Sequence, residues 1–129
     1  MKKKKLLKEP IFKTETLYLI GYSHEELSKE LEKRGLEIDK DYFKNADGGA
    51  ITEMDLDEPL RCIWIRDSKI TPELLGTLAH EITHHVLRIL DWKGIPVTVQ
   101  YNADETMAYL VDYYMRNAIS LITGNKLEY

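Results

Sequence analysis

His80-Glu81-Ile82-Thr83-His84 sets two histidines four residues apart, with a glutamate directly after the first. On a helix, positions i and i+4 lie one above the other, so His80 and His84 can turn two imidazoles towards one ion. Glu81 sits about 100° further round, placed to reach a water on that ion without ligating it. Zinc accepts two His nitrogens and a carboxylate and keeps a fourth position for water, so the spacing suits a metal-assisted hydrolase. A pattern this short also arises by accident. Against accident stands the scarcity of histidine: the chain has 4, and two of them fall at this interval on an apolar helix.

The helix itself is well signalled. Thr71-Pro72-Glu73 offers a capping hydroxyl, proline at the first helical position and an acid in the first turn. The helix can run to Lys93, where Gly94 stops it and Pro96 prevents resumption. Leu75, Leu78, Ile82, Val86 and Ile89 form its apolar stripe, and Trp92 is expected to anchor its end. His80 and His84 lie beside that stripe, where an imidazole pair needs polar partners and a metal would supply one.

A zinc site of this kind takes one more protein ligand. After the motif the carboxylates are Asp91, Asp104, Glu105 and Asp112, and Asp91 is too close along the same helix. Glu105 falls in the first turn of a last helix, which Asn102-Ala103-Asp104-Glu105 opens and which runs to about Ile122. That interval lets a second helix fold back and present its carboxylate beside the imidazoles. The alternative is that Glu105 closes a capping box on Asn102, and acids favour a helix N-terminus without any metal.

Ahead of the motif, residues 16–22 read as a strand. Ser23 and Glu26 form a capping box for a short surface helix with Leu27 and Leu31 inward and Gly35 at its end; His24 is an ordinary exposed residue there. Asn45 to Gly49 is dense in turn residues. Strands are expected at Ala50–Leu56 and Arg61–Arg66, joined through Asp57-Glu58-Pro59 as an antiparallel hairpin. In the second, Ile63 and Ile65 face one way and Cys62 and Trp64 the other, so both sides are covered and Cys62 is a small core residue.

A chain of 129 residues, 43% apolar and 31% charged, fits one soluble globular domain. We expect a flexible Lys-rich terminus over 1–10 and a single domain over 11–129. A net charge of -4 argues against nucleic acid as the main partner. The one cysteine, Cys62, forms no internal disulfide and suits a reducing compartment. No apolar stretch follows Lys2 to Lys5 as a signal peptide requires, and no run reaches transmembrane length. The expectation is a cytoplasmic protein with no membrane contact.

With H-E-I-T-H at 80–84 followed by N-A-D-E-T-M-A-Y at 102–109, the chain resembles the gluzincins, metalloproteases that join H-E-x-x-H to a downstream glutamate. It is similar in size to the single-domain minigluzincins and to small prophage-encoded zincin-like proteins. The resemblance implies an α+β fold: a small twisted three-stranded sheet packed on an active-site helix and a C-terminal glutamate helix, a zincin-like upper subdomain. It also implies roles, with His80, His84 and Glu105 binding zinc and Glu81 acting as general base and then acid. Relatives that cleave peptides usually add a His or Tyr for the oxyanion. Tyr109, Tyr101 and, more weakly, His85 are candidates here, though each Tyr also reads as packing. Asp112, two turns after Glu105, is either a carboxylate supporting a ligand histidine or a solvated acid. The function expected is a zinc metallopeptidase acting on a peptide or protein substrate. The alternatives are a catalytically weak or inactive zinc-stabilised regulatory domain, and an α+β domain in which the His pair is incidental.

Overall fold

The strand Leu60–Ile65 (β4) is buried along its whole length, because β-branched and aromatic side chains alternate between two covered faces. In the computed structural model, which describes residues 1–97 and 103–127, it lies inside a four-stranded sheet. Its partners are Lys3–Lys8 (β1), Glu15–Ile20 (β2) and Gly48–Glu53 (β3), in the order β1-β2-β4-β3. β2 runs parallel to β4 and the two outer strands are antiparallel to their neighbours. Three helices complete a small α+β domain: His24–Lys33 (α1), Pro72–Trp92 (α2) and Ala103–Thr123 (α3).

Each sheet face has its own core. Tyr18, Ile20, Ile63 and Ile65 pack against Leu78, Ile82, Val86 and Ile89 of α2 and Leu110, Tyr114 and Ala118 of α3. On the other face Leu17, Leu19, Cys62 and Trp64 meet Tyr22 and the α1 residues Leu27 and Leu31. The opposed faces expected for Ile63/Ile65 and Cys62/Trp64, and the antiparallel hairpin, are therefore as the alternation demands. Local helix signals also hold. Ser23 and Glu26 form the capping box of α1, Thr71 accepts the amide of Leu74 at the start of α2, and Gly94 after α2 has φ 71°.

The sheet differs from expectation by one strand. Lys3–Lys8, read from its lysines as a flexible terminus, pairs antiparallel with β2 from Lys3↔Ile20 to Lys8↔Glu15. Its inward anchor is Leu7, and lysines are a common guard on an edge strand. Lys4 reaches Glu30 at 3.2 Å, and Lys3 donates to the Ile122 carbonyl at 2.9 Å. Glu9 turns the chain into β2 by accepting the amides of Ile11, Phe12 and Thr14. The hairpin strand expected at Ala50–Leu56 instead starts at Gly48 and ends at Glu53. Trp92 does not anchor its helix in the core: it is 56% exposed, with the Arg61 guanidinium 4.7 Å from its ring centroid. Residues 95–101 read as extended by composition, and of these 98–101 lie outside the described residues. Among the described residues no helix is long and apolar enough to cross a membrane.

Candidate metal centre

α2 carries His80 and His84 on successive turns, both exposed, with Glu81 nearly buried between them and the sheet. The imidazoles meet edge to face at 4.7 Å between centroids, and their Nε2 atoms are 3.2 Å apart. Two nitrogens on one tetrahedral zinc, each at its usual bond length, stand about 3.3–3.4 Å apart. The pair thus fits a single ion. Without one, an imidazole must donate to the other, which fixes opposite tautomers. Glu81 Oε1 lies 4.0 Å from His80 Nε2, beyond hydrogen-bond length, so the carboxylate is not spent on that ring. One ligand atom from each of His80, Glu81 and His84 falls within 4.8 Å of the others.

The group opens onto a pocket of about 380 Å³ between α2 and the start of β3, lined by Asp47, Gly48, Gly76, Thr77, His80 and Glu81. Glycine at 48 permits the close approach that forms one wall. A Cβ there would stand 2.7 Å from the Trp64 carbonyl oxygen and 2.9 Å from Thr77 Cγ2. At Gly76 nothing comes within 4 Å of where a Cβ would be, so the helix surface beside the pocket is bare.

His85, the next residue, belongs to the core. Its Nε2 lies 2.8 Å from Thr16 Oγ1, which lies 3.1 Å from the Tyr114 hydroxyl, and Tyr114 meets the imidazole edge-on. Its Nδ1 has no hydrogen-bond partner. Burial, then the Arg61 and Arg88 guanidinia, push the His85 pKa down to about 3, so the ring is neutral. It is a packing histidine and offers no oxyanion donor at the His80–His84 pair.

The other candidates are not joined to this group. Glu105 is exposed in the first turn of α3, and its carboxylate is outside the set of mutually close ligand atoms. Asp112 is exposed and its Oδ1 accepts from Arg116 Nε at 2.6 Å. Tyr109 stacks on Tyr113 at 6.4 Å. Neither Asp112 nor Tyr109 makes a hydrogen bond or ring contact to His80, Glu81 or His84 among the described residues. Tyr101 and Asn102 lie outside the described residues, and with them the capping alternative for Glu105. The Asp47–Gly48 wall was hidden by its reading as a turn. The core role of His85 had a signal, its place three residues after Ile82 on the buried stripe.

Fold and site together define an α+β domain that presents a His–Glu–His group able to hold a metal ion at the mouth of a pocket. The chain matches no protein-family model, no curated protein and no solved structure.

Proposed function

We propose that the protein is a small zinc-dependent metallopeptidase of gluzincin type, its sheet and α2 forming a zincin-like upper subdomain with one added edge strand. The observation that carries this reading is the 3.2 Å separation of His80 Nε2 and His84 Nε2, with a free carboxylate 4.0 Å away. His80 and His84 would hold the zinc, and Glu105 would complete the set. The Glu105 carboxylate has no hydrogen-bond or ion-pair partner among the described residues, so it is available. When bound, zinc would polarise a carbonyl oxygen and acidify a water. Glu81 takes the proton of the attacking water and passes it to the leaving amine, the role its burial beside the imidazoles prepares. The substrate is a peptide or unfolded protein in a cytoplasmic setting, and the net charge of -4 speaks against nucleic acid.

The test is Glu81→Gln in zinc-loaded protein given a mixed pool of unfolded peptides. Glutamine is near-isosteric but takes no proton, so zinc should stay while turnover falls on the order of 10²–10⁴-fold. A variant that cleaves as well as the parent would sink the mechanism. The open, shallow pocket favours one second reading, a zinc-stabilised regulatory domain. Absence of any chelator-sensitive cleavage by the parent would establish it over the first.

A further inference from the structure

β3 is one of the two edge strands of the sheet, and its pairing decides which backbone groups point outward. The Arg66 amide donates to the Asp47 carbonyl at 2.8 Å, which makes those two residues a hydrogen-bonded pair. Antiparallel ladders alternate, so Gly49, Ile51 and Glu53 bond β4 while Gly48, Ala50 and Thr52 turn their amides and carbonyls to the outer edge. Gly48 lines the pocket that holds His80 and Glu81. Ala50 and Thr52 line a neighbouring groove of about 580 Å³, whose other walls include Glu37, Asp39, Tyr42 and Arg88. The outer edge therefore leads from the metal-type group into a groove containing one guanidinium.

That guanidinium is already positioned. Arg88 Nη1 donates to the Ala50 carbonyl oxygen, one of the outward-facing acceptors. Arg88 follows Glu81 by seven residues, about two turns, and so shares its face of α2. Its guanidinium meets β3 at Ala50, two residues along the strand from Gly48, which lines the pocket of Glu81. Arginine has five N–H donors in a planar fork. Among the described residues only the bond to Ala50 uses any of them.

We propose that Arg88 is a substrate-positioning residue: anchored on Ala50, it turns its remaining donors to a backbone carbonyl of a peptide lying along the β3 edge. This rests on the peptidase reading above. The acceptor is neutral, because Glu37, Asp39 and Glu53 line the same groove and oppose a carboxylate. The protein accordingly takes internal stretches of peptide rather than chain ends that place a free carboxylate at Arg88.

The test uses zinc-loaded full-length protein and one unstructured decapeptide in two forms, C-terminal amide and free acid. The kinetic constants of the parent, Arg88→Ala and Arg88→Lys are compared, and equilibrium binding of both peptides is measured with each change placed in a Glu81→Gln background. Loss of a charged hydrogen bond should raise KM and Kd about tenfold or more in Arg88→Ala. kcat, zinc content and circular dichroism should change little, whereas a purely structural role would move those instead. Arg88→Lys, which keeps one donor but no fork, should fall between. Parent protein should bind the amide at least as well as the acid. Unchanged binding in Arg88→Ala, no peptide binding by any form, or a preference for the free acid that Arg88→Ala abolishes would each overturn the proposal. Binding that depends on Arg88 without turnover in the parent would uphold it while defeating the peptidase reading. Turnover with KM indifferent to residue 88 would do the reverse.

Discussion

The Nε2 atoms of His80 and His84 stand 3.2 Å apart on successive turns of α2. Both rings are exposed, so the core does not force them together. The helix sets their spacing, one turn apart on the same side of α2. The i, i+4 spacing brings both rings within reach of one ion, and binding then has to fix the rotamers of two exposed side chains.

From this pairing we expect about one zinc per chain to survive gel filtration of the parent, and His84→Ala to lose nearly all of it. A ligand that binds only the folded state at a hundredfold excess over its Kd adds roughly 2.7 kcal/mol of stability. Chelation should lower the melting temperature of the parent and leave His84→Ala unmoved. Full zinc occupancy in that variant would place the metal elsewhere.

What could be read from sequence divides along a physical line. Helix ends such as Ser23 with Glu26, Thr71 with Pro72, and Gly94 are set by neighbouring residues, and so is the His80–His84 interval. Leu7 in β1 was not legible, because a strand of lysines is stabilised by pairing with β2 rather than by its own hydrophobic pattern. Gly48 lies in a stretch dense in turn residues, yet glycine also serves where a strand must pass close to a helix, and sequence alone does not tell the two uses apart. The bond from Arg88 to Ala50 joins residues 38 apart in sequence and exists only through the register of β3. The expected meeting of Glu105 with the imidazoles likewise depends on the path of the chain between two helices.

Glu105→Gln separates ligand from cap. If Glu105 completes the metal set, the variant should lose most of its zinc, and the rise in melting temperature at a given zinc concentration should shrink with the lost affinity. If it only favours the helix N-terminus, zinc content stays and stability falls by about 0.3–1 kcal/mol. Metal analysis and calorimetry on one preparation distinguish the two.

Gly48→Ala tests the wall of the pocket. The added methyl would stand 2.7 Å from the Trp64 carbonyl oxygen, which cannot yield without moving the strand, and 2.9 Å from the methyl of Thr77. We expect a loss of about 1–3 kcal/mol in urea unfolding. An unchanged midpoint would mean that β3 does not approach α2 this closely.

Cys62 reports on the core of the sheet. It is fully buried, and burial pushes its thiol up to about 12, so almost no thiolate exists at neutral pH. A thiol reagent should label it only at the rate of unfolding, and labelling should become fast across the urea transition. Rapid reaction under native conditions would contradict the packing between β4 and α1.

His85 sets the acid side of stability. In the folded chain its pKa is pushed down to about 3, chiefly by burial and further by Arg61 and Arg88, from an ordinary value of 6.5. Between those two values the unfolded chain binds a proton that the folded chain refuses. Stability therefore rises with pH through this window, and the contribution of His85 is fully present above 6.5 and lost as pH falls towards 3. One such group accounts for a slope of at most about 1.4 kcal/mol per pH unit. The carboxylates add their own dependence at the lower end, so the informative range is pH 6.5 to 5. There, His85→Gln should flatten the slope by up to one proton, even though it lowers stability at pH 7 by disturbing the contacts with Thr16 and Tyr114. Urea titrations of both proteins across that range, run on metal-free samples so that His80 and His84 ligation does not enter, give the comparison. Equal slopes would show that His85 takes up its proton alike in the folded and unfolded chains, and that the core around it is not closed.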